Sequence, residues 1–277
     1  MTSASKKPRT LLLLVGESMV RDNLSLYGYP RNTTPKLDAL ANDPHFATVR
    51  PVWSVSSSTL PAFDDMFEFS TSSGPGNLFA FFRSAGYKVT WISNQDDLAI
   101  KNRYAAWDDD PEMLNRLSGR SSASLDGNVL PALERPLKDP AERPPHRGAS
   151  DRPSPALPSA SPERLDGRLG KKNDAVETQL KTLDRSSWVI DARSDYDLGI
   201  RYQDEILRAR WSSPARQAPG RSSIGLRLGP RTGARRRRQP YRSLQYDRGR
   251  YRVPLLFWLS DRSDAKDWEI APSAPTV

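Results

Sequence analysis

Glu17 stands directly behind the apolar run Leu11–Val15, in LLLLVGESMVRDN. A buried strand that delivers a carboxylate at its C-terminal end is how open α/β sheets build sites. The plainer role for such an acid is to cap the helix or turn that follows. Further on, Ser56, Ser57, Ser58 and Thr59 precede Pro61 in SVSSSTLPAFDDMF, and proline near the start of an apolar-periodic run marks a first helical turn. A hydroxyl at such an N-terminus lies among free N–H groups and the positive end of the helix dipole, which stabilise an alkoxide and an incoming phosphoryl group. The same hydroxyl can also serve as an N-cap without chemistry. Asn94 and Gln95 follow the run YKVTWIS and are placed to meet a substrate at a strand end, or to cap that end.

Residues 11–35, LLLLVGESMVRDNLSLYGYPRNTTP, closely resemble the signature of the phosphoethanolamine transferases, membrane-anchored zinc enzymes of the alkaline phosphatase/sulfatase superfamily. The resemblance implies that Glu17 is a metal ligand, and a hard carboxylate oxygen suits zinc in a mixed nitrogen and oxygen site. It also implies that Thr59 is the nucleophile and a second ligand, since sulfatases place theirs two residues before a helix-opening proline and the transferases use threonine. Ser56, Ser57 and Ser58 stay in contention, because an ungapped alignment on the proline favours Ser56. Arg21, Asp22, Tyr27, Tyr29 and Arg31 belong to the signature; Arg21 and Asp22 can form an ordinary pair, and both tyrosines are expected to pack the loop.

The implied fold is a three-layer α/β/α arrangement with a mixed central sheet. The implied reaction transfers phosphoethanolamine from phosphatidylethanolamine to a lipopolysaccharide or lipid A-type acceptor at the periplasmic face of the bacterial inner membrane. In it, Thr59, activated by Zn2+, attacks the phosphodiester, and the acceptor hydroxyl then displaces the phospho-threonine ester.

The metal set is incomplete in this chain. The only histidines are His45 and His146, and the adjacent Asp-His pair that the resemblance calls for has no counterpart. One carboxylate and one hydroxyl do not hold zinc tightly when catalytic sites take about three protein ligands. His45, in NDPHFATV, reads as a half-buried loop residue. Asp108, Asp109 and Asp110 read as a solvated loop, since three consecutive acids do not face one ion. With no cysteine there is no disulfide, Cys-ligated zinc or thiol nucleophile.

Several elements would position these residues. Strands are expected at Leu11–Val15, Tyr87–Ser93 and within YRVPLLFWLS (251–260), the last of a kind buried in parallel sheets. Helices are expected over Thr34–Asn42, Leu60–Phe69, Asn77–Ser84, Leu125–Leu137 and much of 173–207. Residues 1–8 read as a disordered N-terminus, 9–139 as the N-terminal part of the catalytic domain, 171–207 as its helical part, and 247–277 as a core strand and tail.

Two stretches do not fit. In 140–170, 7 of 31 residues are proline and apolar periodicity vanishes. Between Leu207 and Tyr246 there are 11 arginines, no lysine and no acid, and removing that stretch leaves 31 basic against 33 acidic residues. The net charge of +9 therefore belongs to one segment and is no protein-wide nucleic-acid signature.

Both stretches fall where the resembled family has a core strand and a catalytic loop, and we expect 140–170 and 208–246 to be out of frame. Gly229-Pro230-Arg231 coded GGA-CCA-CGG reads Asp-His-Gly one nucleotide later. The same shift permits Asn-His-Thr-Gly-His-Ser from Gln239–Leu244 and Gly-Ala-His-Pro around Gly148-Ala149-Ser150.

No apolar run approaches the ~20 residues of a membrane helix, and the start MTSASKKPRT lacks a secretory apolar core. The resembled enzymes carry a bundle of membrane helices ahead of this motif. A monomer without a specific nucleic-acid partner is expected. The competing readings are a soluble sulfatase- or phosphatase-like hydrolase and a non-catalytic polyanion binder using residues 208–246, with Arg235–Arg238 among them.

Overall fold

The leucines at the start of the chain form a strand because alternate residues can be buried on the face of a sheet. The computed structural model describes residues 10–16, 19–56, 59–72, 74–94, 112–114, 126–138, 169, 173–212, 223–228 and 251–258. The chain divides into two units, 1–62 with 166–277, and 63–165.

In the first unit, β1 (Leu11–Gly16) and β2 (Phe46–Val49) belong to a four-stranded sheet with β7 (Ser223–Leu228) and β8 (Leu255–Trp258), in the order β1-β7-β8-β2. β1 and β7 are parallel, with Leu11 beside Ser223 and Gly16 beside Leu228. β8 runs antiparallel to both β7 and β2, with Leu255 beside Arg227 and Val49, and Trp258 beside Ile224 and Phe46. The sheet is mixed, as expected. The strand in YRVPLLFWLS is antiparallel to its neighbours, so its apolar density reflects burial of Leu256 and Trp258 and not a parallel setting.

The helix expected over Thr34–Asn42 is regular only as α1 (Pro35–Asp38), followed by turns. α5 (Ala175–Thr182) and the long α6 (Ser187–Ser212) complete this unit. Met19, Leu24, Leu37, Leu40, Phe46, Ile200, Leu207, Leu256 and Trp258 form its core. The stretch 208–246, expected to be irregular, thus contains the last turn of α6 and all of β7.

In the second unit, β3 (Glu68–Thr71) and β4 (Gly74–Asn77) form an antiparallel hairpin, and α3 (Leu78–Ser84) follows directly. The Asn77 carboxamide oxygen caps α3 by accepting from the Phe79 and Ala80 N–H groups at 2.9 and 3.4 Å. A strand was expected over Tyr87–Ser93, but only β5 (Ile92–Ser93) is regular, paired in parallel with β6 (Glu112–Met113). α4 (Val129–Lys138) follows a 3-10 turn at Asp126–Asn128. α2 (Thr59–Phe67) runs in sequence from the first unit into the second. Its last residue, fully buried Phe67, lies 4.9 Å from the Phe79 ring and 5.9 Å from Trp91.

Of the segment 140–170, only Leu169 is among the described residues.

Candidate functional site

Strand directions decide which residues can meet. Gly16 and Leu228 end side by side, and Val49 and Leu255 lie at nearly the same level. The chain leaving β1, the chain leaving β2 and the chain entering β8 therefore all lie at one end of the sheet. In sequence these are the segments that hold Glu17, the Ser56–Thr59 cluster and Arg252.

Glu17 and Ser18 themselves lie outside the described residues, but the residues on either side of them are fixed. Gly16 is locked in the ladder, and Met19 is buried in the core. The Val20 N–H donates to the Tyr196 hydroxyl at 2.9 Å. The Arg21 N–H donates to the Arg252 carbonyl at 3.0 Å. Asp22 pairs with the Arg252 guanidinium at 2.9 Å and, more loosely, with Arg21 at 3.4 Å.

The second segment is held by the same strand entrance. The Val253 N–H donates to the Val52 carbonyl, the Ser54 N–H donates to the Tyr251 carbonyl at 2.7 Å, and Trp53 bridges Arg252. The Ser54 hydroxyl donates to the Ser56 carbonyl at 2.8 Å. Thr59 is the first residue of α2, which is where a nucleophilic hydroxyl needs to be to use the helix N–H groups. The Thr59 side chain, and Ser57 and Ser58, lie outside the described residues. Arg252 thus holds both candidate segments at once. Sequence reasoning did not single it out, because its partners lie some 200 residues earlier in the chain.

The signature loop is held by a buried ionic network. Gly28 adopts φ +95°, a left-handed turn that places Tyr27 and Tyr29 on either side of it. The Tyr29 hydroxyl donates to Asp197 at 2.8 Å. Arg31 forks onto Asp174 at 2.7 and 3.2 Å and reaches Asp197 at 2.9 Å. Burial raises the Asp197 pKa, although the Tyr29 hydroxyl and Arg31 both favour its anion. Burial also works to raise Asp174, but the Arg31 hydrogen bonds outweigh it and hold that carboxyl below the usual range.

Asp204, wholly buried, accepts the N–H groups of Lys36 and Leu37, each at 2.9 Å, so a side chain of α6 caps α1. Burial pushes its pKa up to about 6 against those two donors. Tyr27 packs on the core with its ring 4.4 Å from the Arg50 guanidinium and 5.8 Å from that of Arg21, and burial pushes its hydroxyl up to about 12. Arg31 and the tyrosines are therefore structural, as expected for the tyrosines. The signal for the missed acids was present: Asp197, Ile200, Asp204 and Leu207 share one helical stripe, and an acid on an apolar stripe needs a buried partner.

In the second unit, the Asn94 carboxamide donates to Asp126 at 3.1 Å. Gln95 lies outside the described residues.

Residues 9–144 match the protein-family model described as Sulfatase. That match covers just under half of the chain. "Phosphoethanolamine transferase EptC" of Escherichia coli O18:K1:H7 (strain RS218 / NMEC) is 34% identical over 151 residues, covering 50% of this chain and 26% of the relative. "Phosphoethanolamine transferase CptA" of Salmonella typhimurium is 34% identical over 147 residues, covering 49% and 26%. The match thus spans about a quarter of the length of these curated relatives.

Among solved structures, the C-terminal periplasmic domain of EptC from Escherichia coli, in complex with Zn, superposes with a TM-score of 0.71 at 24% identity, covering 95% of this chain and 76% of that one. The soluble domain of lipooligosaccharide phosphoethanolamine transferase A from Neisseria meningitidis gives a TM-score of 0.62 at 17% identity, with 95% and 79% covered. These likenesses show an alkaline phosphatase/sulfatase-like α/β fold.

The described residues do not fit a zinc site. No group of three or more His, Cys, Asp or Glu that could hold a metal is found among them. His45 precedes Phe46 and packs 5.9 Å from the Trp258 ring, at the opposite end of the sheet from Gly16 and Leu228. It is four residues from Val49, about 13 Å down the strand. His146 lies outside the described residues. No described helix is long and apolar enough to cross a membrane.

Proposed function

We propose that this chain carries the catalytic-domain fold of a phosphoethanolamine transferase and, as encoded, retains the nucleophile half of the site without a working zinc half. The observation that carries the reading is the match of residues 9–144 to the sulfatase family, joined to the convergence of both candidate segments on Arg252 at one sheet end. Thr59, at the start of α2, would take the role of nucleophile, and Glu17 that of a metal-ligating carboxylate. The parent reaction is transfer of phosphoethanolamine from phosphatidylethanolamine to a lipid A-type or other lipopolysaccharide acceptor at the periplasmic face of the inner membrane.

The zinc half is wanting for a reason the sheet supports. β7 ends at Leu228 beside Gly16, so the residues next in sequence to those two ends are Gly229 and Glu17. Neither Gly229 nor the following Pro230 has a ligating side chain. If residues 229–231 are coded GGA-CCA-CGG, the frame one nucleotide later would supply Asp and His, the pair that a carboxylate at 17 needs.

Two measurements test the reading. Genomic resequencing of codons 140–170 and 208–246 should reveal single-base slips. Dialysis followed by elemental analysis should find the chain as encoded retaining far less than one zinc per molecule, with no turnover of a nitrophenyl phosphodiester, whereas the chain re-encoded in the shifted phase over both segments holds zinc stoichiometrically. Tight one-to-one zinc in the chain as encoded would sink the proposal.

A further inference from the structure

The face of α6 that holds the signature loop carries two buried polar atoms that the loop itself does not satisfy. Asp197 is wholly buried, and its Oδ2 takes both bonds that the loop offers, from the Tyr29 hydroxyl at 2.8 Å and from Arg31 Nη1 at 2.9 Å. Its Oδ1 has no hydrogen-bond partner among the described residues. One turn further along α6, Arg201 Nη1 donates to the Asn32 carbonyl at 3.0 Å. The Nε of the same guanidinium is buried and also has no hydrogen-bond partner among the described residues. Glu205 Oε1 stands 3.9 Å from that Nε, beyond hydrogen-bond reach.

The two atoms are complementary, one an acceptor and the other a donor. They are also neighbours, because side chains at i and i+4 of a helix have Cβ atoms only about 5–6 Å apart. Both residues hold the same stretch of loop, Asp197 through residues 29 and 31 and Arg201 through residue 32. A carboxylate oxygen or a guanidinium N–H left unpaired in the interior forfeits its hydration, so folded proteins supply such atoms with a partner, often an ordered water.

The chemistry of that partner follows from the pair. It must accept from the Nε–H of Arg201 and donate to a carboxylate oxygen of Asp197. A metal cation has no lone pair to give Arg201, and the guanidinium groups of Arg31 and Arg193 already act on Asp197. An anion is repelled by the Asp197 carboxylate. A water molecule does both.

We infer that a buried water molecule binds between Asp197 Oδ1 and Arg201 Nε, and that through it Arg201 is a positioning residue for Asp197 and hence for Tyr29 and Arg31. The water completes the polar seam by which α6 grips the loop. The inference stands apart from catalysis, since the seam needs neither zinc nor substrate.

The test is a crystal structure of the full chain at a resolution that shows ordered water, from crystals grown in sodium and in rubidium salts. The expected result is one peak within hydrogen-bond distance of both atoms, the same in the two salts and without anomalous signal from rubidium. Nuclear magnetic resonance on protein with isotope-labelled arginine gives a second measurement in solution. The Arg201 Nε–H signal, assigned by its loss in Arg201→Lys, should show a direct Overhauser contact with water of the sign that marks a long-lived complex. It should also exchange with solvent at least about tenfold more slowly than the Nε–H groups of exposed arginines. A map with no peak touching both atoms, a rubidium peak at the site, or an Nε–H signal without the water contact would each overturn the proposal.

Discussion

Arg31 sits at the centre of the most consequential polar contacts in the molecule. Its partner Asp197 is wholly buried, and one of its oxygens, Oδ1, has no hydrogen-bond partner among the described residues. Removing the guanidinium leaves the buried Asp197 carboxylate with the Tyr29 hydroxyl as its hydrogen-bond partner among the described residues and the more distant charge of Arg193. We expect Arg31→Ala to cost roughly 3–5 kcal/mol in urea unfolding. Asp197→Asn should cost less, and the double change less than the sum of the two, because the variants share one network.

Asp204 makes a pH prediction of definite sign. Its folded pKa is raised from the ordinary value of 3.8 to about 6, so the folded state binds more protons between those values. Its contribution is therefore fully present below about pH 4 and is lost as pH rises through about 6. Urea midpoints measured across that window should fall less steeply with rising pH in Asp204→Asn than in the parent. An identical slope in the two proteins would show that Asp204 does not titrate there.

At the scale of elements, apolar content determined what could be read in advance. β1, α2 and α3 were legible because leucine and phenylalanine runs carry their own periodicity and Asn77 and Pro61 mark the starts. β7 was not, because SIGLRL sits among arginine, glycine and serine, and only its ladder with β1 and β8 shows it to be a strand. The run YKVTWIS misled in the other direction: β-branched residues suggested a full strand, yet only two residues find a partner in β6. The candidate site divides in the same way. Glu17 and Thr59 could be named as candidates from local sequence and the resemblance, whereas Arg252, Asp174, Asp197 and Asp204 act across the chain and could be found only through packing.

The second unit depends on one aromatic cluster more than on its short strands. Phe67 is fully buried, with Phe63, Phe79 and Trp91 all within 6 Å of its ring centre. Phe67→Ala should destabilise this unit by about 3–5 kcal/mol. Limited proteolysis should then cut within 63–138 at lower urea than in the parent, while the ladder of β1, β7, β8 and β2 keeps its protection. Unchanged protection in the variant would mean that the hairpin and α3 hold without the cluster.

At the scale of the whole molecule, the first unit is made of sequence from both ends of the chain. β1, β2 and the signature loop come from the first sixty residues, while α5, α6, β7 and β8 come from beyond residue 172. Leu256 and Trp258 belong to its core, and 251–253 are hydrogen-bonded to 21 and to 52–54. A chain stopped after Arg250 should therefore show no cooperative unfolding of this unit, whereas one stopped after Ser260 should unfold as the full chain does. Circular dichroism in urea distinguishes them, and a cooperative transition in the shorter chain would show that β8 is dispensable.

The clasp of Arg252 on residues 21, 22 and 53 also bears on how the protein is made. Synthesis is vectorial, so the β1 segment leaves the ribosome long before its clasp exists. Until Trp258 has cleared the exit tunnel, the leucines of β1 and the loops on either side of it have no lasting partner. The nascent chain must be kept from its neighbours for most of its translation, and the ribosome must be in the correct phase when it decodes Tyr251 to Trp258 for the wait to end in a folded unit.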